Sequence, residues 1–194
     1  MKLKFTNLFF FTLIFFNSLT VFTQNEQILK LEAEFEKIDY KTRLSKLESI
    51  DINNLSIREK ALVEHLYGKT YYLYNSGNGA VEHFIKAKNL YIKAKDYDKA
   101  TELSLTLAEQ KRLSKYKYEE YKPLLDEAIS YAEKSNKEDL LCATYLEVGI
   151  SLQKAEPQKA IEFHKKGLKI AKKIKNQFFE IFLMLTIFFK GNAQ

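Results

Sequence analysis

Apolar residues recur at intervals of three and four from about residue 24 onward, and no stretch sustains the alternation of a half-buried strand. This period predicts amphipathic α-helices along most of the chain. Ser56 and Glu59 have the spacing of a capping box, so we expect a helix to begin there. The predicted helices are about Gln24–Ile38, Tyr40–Ile50, Ile57–Tyr74, Ala80–Lys95, Tyr97–Ser114, Glu119–Lys134, Lys137–Lys154 and Pro157–Ile174, followed by an apolar helix from near Phe178.

Proline and glycine mark several predicted helix ends. Pro123 and Pro157 are each predicted to lie in the first turn of a helix, where a missing N–H costs little. The segment Gly77-Asn78-Gly79 is predicted to form the turn before a helix that begins at Ala80, because glycine adopts positive φ without strain. A second turn is expected at Lys190-Gly191-Asn192.

From residue 57 onward the predicted helices form pairs that repeat. Each first helix contains a large residue followed by a small one, at Tyr67-Gly68, Leu107-Ala108 and Val148-Gly149. Each second helix contains a trio spaced by four and then three: Ala80, Phe84, Ala87; Tyr121, Leu125, Ala128; and Ala160, His164, Gly167. Two independent series with a common period of about 40 residues indicate a structural repeat.

Close packing explains why small residues recur in these helices. Two antiparallel helices approach closely only where their side chains are small, and a large residue between them fills the groove. One such hairpin cannot bury its apolar face alone, whereas stacked hairpins bury a continuous core. The pattern therefore predicts an all-α fold of stacked antiparallel hairpins.

At these residues the chain resembles the tetratricopeptide repeat (TPR) family. That family has a large-small pair and an aromatic in the first helix, then Ala, an aromatic and Ala in the second. Residues 61–94 carry the fullest match, with Tyr71 as the first-helix aromatic. The second unit departs from the pattern at Tyr121 and the third at His164, which we expect to be a packed core residue. The period exceeds the usual 34 residues and resembles a longer-helix bacterial subgroup.

The resemblance implies a TPR-like right-handed α-solenoid. Its repeats would span about residues 57–95, 97–135 and 137–174, with an incomplete fourth at 177–194 and a capping segment at 24–56. The apolar run Phe178–Phe189 then resembles the first helix of the fourth repeat. Three interpretations of this run stay open: it packs back on the third pair, it mediates self-association, or the sequence is a truncated piece of a longer protein, which we favour.

The first 23 residues have the order of a secretory signal peptide. Lys2 and Lys4 precede the apolar core Leu8–Phe16, which is too short to span a membrane, and a more polar stretch follows. We therefore expect an exported protein, periplasmic or extracellular. The alternative is an uncleaved segment that anchors the chain to the membrane. Without residues 1–23 the net charge falls from +6 to +4, because the segment holds two lysines and no acidic residue.

Several kinds of chemistry find no support in the residues. The basic side chains are interspersed with acidic ones, which indicates solvated helix faces, and no nucleic-acid partner is expected. Gly68-Lys69-Thr70 lacks the earlier glycine and the preceding strand of a phosphate loop. The three histidines lack metal-ligand spacing, and the single Cys142 lies in an apolar helical setting typical of a buried, inert thiol. We expect no cofactor and no enzymatic activity.

The remaining hypothesis is a binding scaffold. The family resemblance implies that the first helices present a concave face to a protein or peptide partner. The residues expected to project there are His65, Lys69, Tyr72, Glu109, Arg112, Ile150 and Gln153. They do not reproduce the family's carboxylate-binding set of Lys, Asn and Arg. The alternative function, from the same resemblance, is the sensory region of a truncated bacterial sensor kinase or helix-turn-helix regulator.

Overall fold

The computed structural model describes residues 26–74 and 77–191, and over these residues the fold is all-α, without a strand. The predicted signal peptide lies outside the described residues. The chain divides into two compact units, Met1–Leu90 and Tyr91–Gln194. The helices are α1 (26–34), α2 (Tyr40–Glu48), α3 (Ile57–Leu73), α4 (Gly77–Lys93), α5 (Tyr97–Leu113), α6 (Tyr118–Ser135), α7 (Glu138–Leu152), α8 (Pro157–Lys173) and α9 (Gln177–Gly191).

The first unit has a core built from α1, α2 and α3, with a short 3-10 turn at Phe35–Lys37 after α1. Arg43 is buried beside Phe35: its Nε donates to the Phe35 carbonyl at 2.8 Å, and its guanidinium lies 4.4 Å from the centre of the ring. The predicted capping box is confirmed, because the Ser56 hydroxyl accepts from the Glu59 N–H while the Glu59 carboxylate accepts from the Ser56 N–H. The cap sets where α3 begins.

The second unit is a series of neighbouring helices. Helix α5 packs on α6, α7 on α8 and α8 on α9, while α6 and α5 also contact α7. Its apolar core contains Leu125 and Val148 in one cluster and Cys142 and Leu183 in another. Each predicted pair of helices in this unit is therefore a packed hairpin, and α9 packs back on the third pair.

The predicted role of the small residues is confirmed in two hairpins. A Cβ added to Gly68 would lie under 3.0 Å from the Phe84 ring, and one added to Gly149 would lie under 3.0 Å from the His164 ring. Gly68, Ala108 and Gly149 are each the twelfth residue of their helix. The glycines therefore leave the space that the ring of the paired helix occupies.

The predicted turn at residues 77–79 is wrong, since α4 already begins at Gly77 and no described glycine has positive φ. Positive φ occurs instead where helices end, at Lys95, Lys115 and Lys175. After each of these lysines, the next N–H reaches the carbonyl five residues earlier, as in a Schellman motif. The chain thus closes three helices with lysine in a conformation that glycine normally supplies.

Two further predictions of helix ends need correction. Pro123 is the sixth residue of α6 and lies inside that helix, beyond its first turn. Helix α9 continues through Gly191, so the turn predicted from Lys190 does not begin there, and Asn192 lies outside the described residues. The prediction for Pro157 is confirmed at the start of α8. None of the described helices combines the length and the apolar character that a membrane span requires.

Candidate functional site

The surface of the second unit where α5 faces α7 holds a compact charged group. We name Glu109, Arg112 and Glu147 the Arg112 surface. Glu109 and Arg112 lie one turn apart on α5, and the Arg112 Nη2 atom is 3.7 Å from the Glu109 Oε1 atom. The Arg112 side chain is 34% exposed, yet its Nε atom is buried and has no hydrogen-bond partner. Arg112 therefore combines a partly exposed side chain with a buried N–H donor that has no acceptor among the described residues.

Glu147 brings a second carboxylate to this surface from α7. Glu147 is exposed at the surface of α7; partial desolvation by its neighbours raises its pKa, the Glu109 carboxylate raises it further, and the Arg112 guanidinium opposes both effects. One guanidinium thus pairs with Glu109 and also acts electrostatically on Glu147. Because partial desolvation and like charge both disfavour a second negative charge, a hydrogen-bond donor or a cation placed beside these carboxylates would be stabilising.

Ile150 and Gln153, the other predicted residues of this unit, lie further along α7. Ile150 is half-buried and packs against the cluster that contains Cys142 and Leu183. Gln153 is the half-buried residue that directly follows α7 and caps it. Ile150 therefore contributes mainly to the core, whereas Glu109 and Arg112 are brought together as a charged pair.

In the first unit, the three predicted residues have unlike surroundings. His65 is buried, with its ring edge-on to Phe84 at 5.8 Å between ring centres. Lys69 lies over the Phe35 ring and forms an ion pair of 3.5 Å with Glu36. Tyr72 is 51% exposed. Lys69 and Tyr72 thus reach the surface, while His65 belongs to the core. The binding role of all seven residues stays a prediction.

Sequence reasoning missed Glu147, although a signal was present. Between Asp139 and the end of α7 it is the one charged residue in an otherwise apolar and small-residue helix, directly before Val148-Gly149. A charge at such a position needs a partner or access to solvent. Its proximity to Arg112, however, depends on how α7 packs against α5, which the pattern within either helix does not contain.

Sequence reasoning also missed a second polar group, which lies between α3 and α4. The His83 Nδ1 atom is 2.6 Å from Glu64 Oε2, and the imidazole stacks on Tyr67 and Tyr71 with ring centres 5.0 Å and 5.3 Å away. The charged and aromatic groups satisfy one another within the hairpin. This group therefore stabilises the first unit through contacts within its own hairpin.

Neither a metal site nor a reactive thiol is present among the described residues. No group of three or more His, Cys, Asp or Glu side chains there is placed to hold a metal ion. Cys142 is buried, its thiol donates to the Gly167 carbonyl at 3.4 Å, and burial raises the pKa of the thiol. The prediction of a buried cysteine is confirmed, and a raised pKa disfavours the reactive thiolate.

Comparison with known proteins identifies a solved structure with a similar fold. No family model matches the chain, and no curated protein matches its sequence. Among solved structures, the apo form of RapI is similar, with a TM-score of 0.67 and 19% sequence identity. The match covers 87% of this chain and 62% of the RapI chain, so the chain spans about three fifths of that structure's length. The likeness shows the fold, an all-α, TPR-like helical-repeat solenoid.

Proposed function

We propose that this chain is a non-enzymatic helical-repeat scaffold that binds a protein or peptide segment through the Arg112 surface. The observation that carries the proposal is the partly exposed Arg112 side chain, which holds a buried Nε–H without an acceptor. A buried donor without a partner costs about 1–3 kcal/mol. A ligand acceptor that meets this N–H once the Arg112 side chain turns outward would recover part of this cost. The TPR-like fold supports the proposal, because solenoids of this kind offer extended binding surfaces.

The chemistry of the surface indicates what the ligand presents. Arg112 can donate to a carbonyl oxygen, while Glu109 and Glu147 can accept from an amide N–H or pair with a lysine or arginine. A peptide backbone supplies both the acceptor and the donor within one residue, and a neighbouring basic side chain would relieve the repulsion between the two carboxylates. We therefore expect a peptide segment with at least one basic residue.

A random peptide library selected on the full chain tests this proposal. Peptides retained by the wild type are measured for affinity against R112A and E147Q. We expect R112A to weaken binding at least about tenfold, because a charge-assisted hydrogen bond contributes about 1.5–3 kcal/mol. E147Q should weaken basic peptides more than neutral ones.

The matched control is K122A, which removes a cation of similar exposure from α6. Lys122 forms an ion pair of 2.5 Å with Asp126, outside the Arg112 surface. Its removal should leave affinity unchanged. Equal affinity of the wild type and R112A for every selected peptide would contradict the proposal, provided that both chains unfold at the same urea concentration.

We also propose that the chain is exported, which rests on the sequence of residues 1–23 alone. N-terminal sequencing of the protein recovered from a bacterial host separates the two predicted forms. A chain that begins near Gln24 would indicate a cleaved signal peptide, and an intact N-terminus in the membrane fraction would indicate the anchor. A full-length chain in the soluble cytoplasmic fraction would contradict both.

A further inference from the structure

Helix α9 packs on α8 through one side and exposes a wide apolar surface on the other. Its buried side is centred on Leu183, which is fully buried against Gly167 of α8. Six large apolar side chains, each between 40% and 71% exposed, form what we name the α9 face: Phe178, Ile181, Phe182, Met184, Leu185 and Phe188. Scattered exposed apolar residues are ordinary, whereas a contiguous patch on one helix marks an interaction surface.

Helix α9 keeps the register of the earlier first helices. The seventh residue is fully buried in α5, α7 and α9, at Leu103, Thr144 and Leu183. The twelfth residue is Gly or Ala in α3, α5 and α7, but in α9 it is Phe188. That position receives a ring from the paired helix in two of the hairpins, and Phe188 leaves no room on α9 for a ring placed in that way.

The size of the α9 face matches one side of a small specific interface. The exposed fractions correspond to about three fully exposed side chains, which at roughly 200 Å² each amounts to about 600 Å². Two such faces would bury about 1,200 Å², the lower limit of stable protein–protein interfaces. Complete burial of both faces would therefore reach the lower limit for a stable dimer.

The chemistry of the face favours a second copy of this chain. None of its six side chains carries a charge or a strong hydrogen-bonding group, and Glu180, the one acidic residue of α9, is half-buried. When two copies of such a surface meet, no polar group is buried without a hydrogen-bond partner. This holds whether the two α9 helices run parallel or antiparallel. We propose that the chain forms a homodimer in which the α9 face of one copy packs against the α9 face of the other.

Analytical ultracentrifugation of the full chain, with charges of either sign placed on the face, tests this interface. The variants I181E/L185E and I181K/L185K put like charges on one stripe of α9. Each variant alone should associate at least about tenfold more weakly than the wild type, since facing like charges repel. An equimolar mixture of the two should recover dimers, because residues 181 and 185 of opposite sign then meet in either helix direction.

The matched control is L113E, which changes an apolar side chain of 60% exposure at the end of α5. Its association should equal that of the wild type, and far-UV circular dichroism should be the same for all chains. A wild type that is monomeric at every concentration overturns the proposal, as does association unchanged in I181E/L185E, or a mixture that stays monomeric. Flotation with vesicles of phosphatidylcholine and phosphatidylglycerol, lost in I181E/L185E while the wild type is monomeric, would assign the face to lipid instead.

Discussion

The first hairpin (α3–α4) and the third (α7–α8) each pack a buried ring against a glycine, but the rings differ. In α3–α4, Gly68 makes room for Phe84, and in α7–α8, Gly149 makes room for His164. Both rings occupy the middle position of their trio, and both are buried. The difference is that neither ring nitrogen of His164 has a hydrogen-bond partner, although the Leu146 backbone carbonyl lies close enough to favour the protonated ring. Phe84 has no polar atom to satisfy.

This contrast shows what the repeat position requires. Where the facing residue is a glycine, the position holds a flat ring, and it tolerates a polar ring at an energetic cost. A buried polar group without a partner costs about 1–3 kcal/mol. Burial lowers the pKa of His164, and the Leu146 carbonyl opposes this only in part. The third hairpin should therefore be the less stable of the two and the more sensitive to pH.

The largest expected effect comes from adding a Cβ to the glycine that faces the buried ring in each of these two hairpins. G68A and G149A each place a Cβ under 3.0 Å from a buried ring, so each should lower the free energy of unfolding by about 1–3 kcal/mol, despite the higher helix propensity of alanine. Urea unfolding measures the loss. In the control G167A the nearest atom to the new Cβ is a terminal carbon of Leu183 at 3.2 Å, and we expect a change below about 0.5 kcal/mol. Equal effects at all three glycines would contradict the shared role of Gly68 and Gly149.

Exchanging the two rings should have the next largest effect. H164F removes two buried nitrogens without a partner, so we expect a gain of about 1–2 kcal/mol in the free energy of unfolding at pH 7. F84H should lose a similar amount in the first hairpin. H164L places the residue type of Leu125, the middle residue of the second trio, at position 164. It removes both the polar nitrogens and the ring, so comparing it with H164F separates the effect of polarity on stability from the effect of ring shape. If H164F and H164L both destabilise the chain, His164 has a partner that stabilises it.

The smallest expected effect is the pH dependence of the third hairpin. Because the pKa of His164 is lower in the folded chain than in the unfolded one, the unfolded state binds more protons as the pH falls. Stability should be fully present above about pH 6.5 and decline below it, by at most about 1.4 kcal/mol per pH unit for one proton. Urea titrations from pH 7.5 to 5 should show a shallower decline in H164F. If the free energy of unfolding falls equally with pH in the wild type and in H164F, His164 is not the cause of the pH dependence.

Much of the fold follows from local pattern. The boundaries of the helices in the three hairpins were predicted within three residues, because periodic apolar positions and recurring small residues both act within a few turns. The start of α4 at Gly77 was missed because glycine by itself favours a turn there, and only packing within the hairpin holds it in a helix.

The candidate site was harder to predict. Glu109 and Arg112 are neighbours on one helix, so their pairing could be anticipated from spacing alone. The proximity of Glu147, the burial of His65 against Phe84 and the packing of Ile150 toward α9 all depend on which faces of separate helices meet. A single sequence carries the period of each helix but only weak information about its rotation against a neighbour.

The packing of each helix in the second unit against the next one or two along the chain also bears on how this unit folds. Contacts between segments close in sequence require little loop closure, and proteins rich in such contacts fold in microseconds to milliseconds. The hairpin α5–α6 can form before α9 has been synthesised, and each later helix then adds to an existing surface. Folding of this unit should therefore proceed in chain order during translation, with α9 the last helix to join.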